Sequence, residues 1–123
     1  MPFEIIKKTN CAIVKVRVEK LDAIEASALK AEFVMLNNQG EKNLIVDMSE
    51  CDYCDSSGLR SFLVANRLCN DAIGALIIAG LKPDVDTVFR ISTLHTVLLI
   101  TKTVEEAEEL LKKNESLDNQ SRQ

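Results

Sequence analysis

The spacing of apolar residues predicts two strands at the beginning of the chain and a helix after them. Residues 3–7 and 11–18 are predicted strands, and apolar and polar side chains alternate along much of the second, which is typical of a strand with one buried face. The polar residues 9–10 between them favour a hairpin turn. A helix is predicted from Asp22 to about residue 37. Its apolar stripe is expected to consist of Ala28, Leu29, Phe33 and Leu36.

From residue 43 onward the apolar residues form continuous runs instead. Three runs, at 44–46 within a strand expected at 43–48, at 75–79 and at 97–100, predict strands that are buried on both faces or lie at the centre of a sheet. Helices are predicted between and after them, the first over about 57–70, the second from Pro83 and the last after Thr103. The helix at 57–70 is expected to bury Leu59, Phe62, Leu63 and Leu68.

These elements follow one another in the order β-β-α-β-α-β-α-β-α, without an internal repeat or a linker. The order predicts an α/β fold in a single small domain with a mixed β-sheet, in which a hairpin is followed by parallel strands joined through helices. We expect this domain to span residues 1–113. Residues 114–123 are polar and lack apolar periodicity, so we expect a frayed C-terminal tail there.

Composition and charge exclude several classes of function. The 123 residues carry a net charge of -4 and only 4% of them are aromatic, so a basic stripe or stacking aromatics for nucleic acid are not expected. The longest apolar runs are too short to span a bilayer, and the N-terminal residues do not resemble a signal peptide. We therefore expect a cytoplasmic protein without direct nucleic-acid binding and without membrane insertion.

Four cysteines raise the question of thiol or metal chemistry. Cys51 and Cys54 have the C-x-x-C spacing of a redox centre or of half a zinc site, but both precede Asp55, whose charge disfavours a thiolate. The other candidate ligands are Cys11, Cys69 and His95, none of them paired at ligand spacing. We expect Cys51 and Cys54 to be reduced and buried as small hydrophobic residues, with redox or metal chemistry as the alternative.

Residues 55–59, Asp-Ser-Ser-Gly-Leu, follow a predicted buried strand and open a predicted amphipathic helix. Asp55 can accept hydrogen bonds from the free backbone N–H groups of the first helical turn, and Gly58 lets another backbone approach closely. The positive end of the helix dipole favours an anion at this place. The hydroxyl groups of Ser56 and Ser57 therefore lie where a negative charge would be tolerated.

Three segments carry a resemblance to a known family: Leu-Ile-Val-Asp-Met at 44–48, Tyr53, and residues 55–59. With them the chain resembles, from about residue 3 to 111, the STAS domain of bacterial anti-sigma factor antagonists, in which the serine just before the glycine is phosphorylated. The resemblance implies the same fold and phosphorylation of Ser57. It also implies partner switching, in which the unphosphorylated domain binds a serine-kinase anti-sigma factor, phosphorylation ends that binding, and a phosphoserine phosphatase restores it.

The residues expected at the partner surface are Asp47, Asp55, Ser56, Ser57, Gly58 and Leu59. On pattern alone, residues 55–57 are more typical of a helix cap than of a switch, and the resemblance is what favours the switch. Ser56 is the alternative phosphate acceptor, with helix capping as its other role. Asp47 either fixes a loop as a hydrogen-bond acceptor or belongs to the partner surface.

No catalytic motif accompanies this stretch. The sequence has no Gly-rich phosphate loop, His-Glu metal motif or Gly-x-Ser-x-Gly nucleophile elbow, and nothing in it places His95 near Ser57 as a base. We therefore expect no enzyme activity, no cofactor and no metal. A second function implied by the resemblance is that of a subunit in a lipid or anion transport assembly, because STAS-like domains also serve there.

Overall fold

The computed structural model describes the backbone of residues 2–121 and the side chains of residues 2–113. The strands are β1 (Phe3–Lys7), β2 (Ala12–Val16), β3 (Lys20–Leu21), β4 (Leu44–Asp47), β5 (Tyr53–Cys54), β6 (Leu76–Ala79) and β7 (Leu99–Thr101). The helices are α1 (Ala23–Asn38), α2 (Ser56–Asp71), α3 (Pro83–Ile91) and α4 (Val104–Ser121), with a short 3-10 helix at Leu94–Thr96.

Five strands form the main sheet in the order β1-β2-β4-β6-β7. The strands β1 and β2 pair antiparallel as a hairpin, whereas β2, β4, β6 and β7 run parallel and are joined through helices. Parallel strands need such crossover connections, because each strand must return to the same end of the sheet. The predicted α/β fold with a mixed sheet is confirmed.

A second, smaller sheet consists of β3 and β5, which pair in parallel with Leu21 opposite Cys54. The sequence analysis missed both strands, because two residues are too few for any periodicity to be visible. The strand β3 leads directly into α1 and β5 leads directly into α2. Their pairing therefore sets the starts of these two helices side by side.

Both faces of the main sheet are covered, which explains the continuous apolar runs in its central strands. One set of alternating side chains, which includes Val46 and Ile78, belongs to the main core beneath α1, α2 and α3. The opposite set, which includes Ile45 and Ile77, packs against α4. Neighbouring residues of β4 and β6 thus face different helices, so the positions on both faces of these strands are apolar in the sheet interior.

Three expectations of burial were wrong. On α1 the buried alanine is Ala26, whereas Ala28 is exposed. On α2 Leu63 remains 39% exposed, because the stripe that faces the core lies one position away at Phe62. The run at 97–100 does not form a central strand, because β7 is the edge of the sheet and Leu99 lies 43% exposed there.

The C-terminal helix α4 begins at Val104, and its backbone is helical to Ser121. The predicted tail at 114–123 begins within this helix, but its side chains lie outside the described residues. The division into a domain at 1–113 and a tail at 114–123 therefore stays a prediction.

Candidate functional site

Asp55 fixes the start of α2 as its N-cap. Its backbone is extended, and its Oδ1 accepts hydrogen bonds from the backbone N–H groups of Ser57 at 2.9 Å and Gly58 at 3.2 Å. The carboxylate thereby satisfies two of the N–H groups that a helix start leaves without partners, and such a cap is worth about 1 kcal/mol. The predicted capping role of Asp55 is confirmed.

Gly58 lets the first turn of α2 pack closely against the small β3–β5 sheet. A Cβ atom at this position would lie 2.5 Å from Sγ of Cys54 and 3.0 Å from Cδ2 of Leu21. Leu59 also turns inward and belongs to the main core. Among the residues expected at the partner surface, Gly58 and Leu59 are thus buried, so they can influence a partner only by positioning their neighbours.

Two serine hydroxyl groups, those of Ser56 and Ser57, lie at the start of α2. Ser56 is exposed and Ser57 is half-buried, and neither hydroxyl forms a hydrogen bond within the described part of the chain. One turn later, by contrast, the hydroxyl of Ser61 is buried and donates to the carbonyl oxygen of Gly58 at 2.6 Å. Helix capping does not explain Ser56, because Asp55 occupies the cap position.

Ser57 differs from Ser56 in that it borders a groove of about 190 Å³ between α1 and α2. The groove is lined by Ala23, Ala26, Ser27 and Lys30 of α1 and by Ser57, Arg60, Ser61 and Val64 of α2. On each helix these residues recur at intervals of three and four, so they form one face. Lys30 and Arg60 are exposed, and neither forms an ion pair with any described residue.

Asp47 lies apart from this groove. It ends β4, and its Oδ1 accepts a hydrogen bond from the backbone N–H of Ser49 at 3.0 Å, which fixes the beginning of the next loop. Side chains alternate along a strand, so Asp47 is on the same face as Ile45, which packs toward α4. There it lines a different depression with Lys15 and Gly80. The structure therefore does not bring Asp47 together with Ser57.

The loop between β4 and β5 is held in place by ion pairs on two sides. The carboxylate of Glu50 lies 3.5 Å from Nζ of Lys15 and 3.6 Å from Nε of Arg17. Asp52 pairs with Lys82 at the start of α3, and this hydrogen bond raises the pKa of the Lys82 ammonium. Exposed pairs of this kind each contribute little to stability, and the loop is also anchored by hydrogen bonds from the backbone N–H groups of Asp52 and Tyr53 to the carbonyl oxygen of Glu19.

The thiols of Cys51 and Cys54 are fully buried, as expected for small hydrophobic residues. Burial raises the pKa of both, that of Cys54 to about 12, and the nearby carboxylate of Asp55 raises the pKa of Cys54 further. The two thiols are therefore protonated at neutral pH, which disfavours both nucleophilic attack and metal binding. Among the described residues, no group of three or more His, Cys, Asp or Glu side chains is placed to hold a metal ion.

The exposure of two apolar residues near the site was not predicted from the sequence. Ile24, in the first turn of α1, is 80% exposed, and Tyr53 in β5 is 51% exposed. The pairing of β3 with β5 places both at the end of the domain that carries Ser57. Tyr53 was visible in the sequence as part of the family pattern, but the exposure of Ile24 depends on how α1 packs.

A known protein family covers most of this chain. The family model of the STAS domain matches residues 3–107. The chain belongs to the STAS domain family. Its similarity to BtrV of Bordetella bronchiseptica, by name a candidate anti-sigma factor antagonist, amounts to 30% identity over 87 residues. That alignment covers 71% of this chain and 75% of BtrV.

Solved STAS structures share the architecture. A candidate anti-sigma factor antagonist from Thermotoga maritima, TM1081, superimposes with a TM-score of 0.80 at 20% identity, covering 89% of this chain and 94% of that one. The anti-sigma factor antagonist SpoIIAA of Bacillus, in its unphosphorylated form, gives 0.78 at 22% identity, with coverage of 90% and 96%. At these identities the likeness is one of fold.

The same fold also occurs inside a membrane protein. The murine anion transporter Slc26a9 contains a region that superimposes with a TM-score of 0.66 at 12% identity, covering 88% of this chain and 18% of the transporter. Among the residues that the structure describes here, no helix combines the length and apolar character needed to cross a membrane.

Proposed function

We propose that this chain is an anti-sigma factor antagonist that works by partner switching. In the unphosphorylated form it binds a serine-kinase anti-sigma factor, and phosphorylation of Ser57 weakens that binding. The observation that carries the proposal is the Ser57 hydroxyl, unengaged within the described residues, at a helix start that Asp55 and Gly58 hold in place. The family membership and the name of the relative BtrV support the same function.

The proposed reaction cycle needs two enzymes other than this chain. The kinase transfers the terminal phosphoryl group of ATP to Oγ of Ser57; a base on the kinase takes the hydroxyl proton, and ADP leaves. A phosphoserine phosphatase then hydrolyses the ester with water, which regenerates the serine and releases inorganic phosphate. The chain itself is a substrate and a binding protein in the cytoplasm, not an enzyme.

Phosphorylation would act locally. The phosphoryl group adds a charge of about -1.5 to -2 and three acceptor oxygens beside the carboxylate of Asp55. The capped, close-packed first turn of α2 fixes the backbone at Ser57, so a partner seated on this surface meets the added volume and negative charge of the phosphoryl group. We propose that Asp55, Ser56 and Ser57 contact the partner, together with Ile24 and Tyr53.

The other predicted binding residues take different roles in this proposal. Gly58 and Leu59 position the start of α2 from beneath. Asp47 fixes the loop after β4 through Ser49 and lies outside the proposed contact surface.

Charge variants at the two neighbouring serines test the proposal. The kinase partner is first identified by co-purification, and its affinity is measured by calorimetry for the original chain, Ser57→Ala, Ser57→Asp and the matched control Ser56→Asp. Ser57→Ala should bind like the original chain, and Ser57→Asp should bind about tenfold more weakly, which corresponds to about 1.4 kcal/mol. Ser56→Asp should have a smaller effect. Equal binding by Ser57→Ala and Ser57→Asp would overturn the proposal.

The second candidate function is that of a subunit in a lipid or anion transport assembly, supported by the fold shared with part of Slc26a9. The co-purification step separates the two candidates. A membrane transport protein recovered in stoichiometric amount, with no kinase, would favour the transport function.

A further inference from the structure

The groove between α1 and α2 carries positive charge directly beside Ser57. Lys30 contributes from α1 and Arg60 from α2, and neither ammonium nor guanidinium has a carboxylate partner among the described residues. Arg60 follows Ser57 by three positions, so the two side chains lie one above the other on the same face of α2. The groove thus has a cation on each of its two walls and a serine hydroxyl at its border.

The groove also has room for an additional group. The side chains of Ala23, Ala26 and Ser27 are small, and the free volume is about 190 Å³. A space of this size holds water-sized groups, and it opens to solvent beside Ser57, so a phosphoryl group on Oγ has room to enter it.

From these observations we infer that the α1–α2 groove receives the phosphoryl group of phosphorylated Ser57, with Arg60 and Lys30 as its ion-pair partners. This inference rests on the proposed phosphorylation of Ser57 and adds the residues that hold the phosphate afterwards. Guanidinium binds phosphate oxygens through two parallel hydrogen bonds, whereas an ammonium acts as a point charge, so Arg60 is the main partner and Lys30 the auxiliary one. The hydroxyl of Ser27 lines the same groove and can donate a further hydrogen bond.

The charges around the phosphoryl group have opposing effects. Arg60 and Lys30 favour its doubly charged form, whereas the two helix caps at this end of the domain, Asp55 and Asp22, disfavour it. Both cations line the groove that the phosphoryl group would enter, while the Asp55 carboxylate is engaged with the backbone of α2. We therefore expect the cations to prevail, so that the second pKa of the phosphoserine lies below its ordinary value of about 6.

The experiment uses the full chain with phosphoserine installed at position 57 by genetic code expansion, so that no kinase is required. The pKa of the phosphoserine is measured by ³¹P NMR titration in the original chain, Arg60→Gln, Lys30→Gln and the control Arg67→Gln. Arg67 is an exposed arginine of α2 outside the groove and, like Arg60, has no ion pair among the described residues. All three substitutions lie on the surface, and circular dichroism checks that each variant folds.

Arg60→Gln should raise the phosphoserine pKa by about 0.3–0.7, the size expected for one partly exposed ion pair, and Lys30→Gln should raise it by less. Arg67→Gln should leave it unchanged. Identical values in all four proteins, or an equal rise with Arg67→Gln, would overturn the inference. Because the phosphate is installed directly, failure of this test leaves the proposed function intact, and failure to find a kinase leaves this test intact.

Discussion

Replacing Gly58 with alanine tests the packing that fixes the start of α2. The added Cβ would lie 2.5 Å from Sγ of Cys54 and 3.0 Å from Cδ2 of Leu21, well inside normal contact distances. Cys54 is 1% exposed and Leu21 is fully buried, so neither side chain can move aside into solvent. The first turn of α2 must instead shift away from the β3–β5 sheet, and Ser57 must shift with it.

The expected cost follows from two opposing contributions. Overpacking of a well-packed interior costs about 1–3 kcal/mol, whereas alanine is favoured over glycine in a helix by about 1 kcal/mol. Because the new Cβ would meet a buried sulfur atom at 2.5 Å, we expect the upper part of the first range, about 2–3 kcal/mol, so that Gly58→Ala lowers the free energy of unfolding by about 1–2 kcal/mol. Urea unfolding, with a slope of about 2 kcal/mol per molar in the middle of the range for small proteins, should show the midpoint lowered by roughly 0.5–1 M.

The variant Cys54→Ala supplies a matched background, because it removes the sulfur atom that the new Cβ would meet first. In that background Gly58→Ala should cost about 1 kcal/mol less than in the original chain. An equal cost in both backgrounds, or a gain in stability from Gly58→Ala alone, would refute the packing argument.

Three further predictions concern stability. Asp55→Ala should cost about 1 kcal/mol in urea unfolding and more than Asp22→Ala, because Asp55 accepts two cap hydrogen bonds and Asp22 one, and equal losses would contradict this. Ile73 has a φ of 61° and is 82% exposed, so Ile73→Gly should raise stability by about 0.5–1 kcal/mol, and a loss would mean that the side chain stabilises the fold. Burial raises the pKa of the Cys54 thiol from 9.0 to about 12, so the unfolded chain loses this proton at a lower pH than the folded chain does. The contribution of this shift to the free energy of unfolding is therefore complete below pH 9 and should be lost as the pH rises from 9 toward 12. In urea unfolding across this range Cys54→Ala should weaken the decline, and an unchanged decline would count against the shift.

The central part of the fold could be predicted because a strand that is buried on both faces has a continuous run of apolar residues in its sequence. The run at 44–46 within β4 and the whole of β6 are apolar at every position, since one set of side chains meets α1 and α2 and the other meets α4. The position of a strand within the sheet, by contrast, cannot be predicted from its local sequence. The run at 97–100 is as apolar as the others, yet β7 lies at the edge, and the two-residue strands β3 and β5 have no pattern at all.

The site was predictable where it depends on neighbours in sequence. The cap formed by Asp55 and the close approach at Gly58 are local features of a strand-to-helix connection, and the position of Arg60 follows from its spacing to Ser57. The face on which Asp47 lies also follows from alternation with Ile45. Lys30 reaches the groove only because α1 packs beside α2, and that arrangement depends on the whole core.

The measurement that tests the central claim most directly is phosphate mapping combined with binding on the same sample. The co-purified kinase is incubated with the chain and ATP, the modified residue is identified by mass spectrometry, and the affinity for the kinase is measured before and after. The account predicts a single phosphate on Ser57, none on Ser56, and an affinity reduced at least tenfold, or about 1.4 kcal/mol. A phosphate elsewhere in the chain, or an unchanged affinity of the chain that carries phosphoserine at 57, would contradict it.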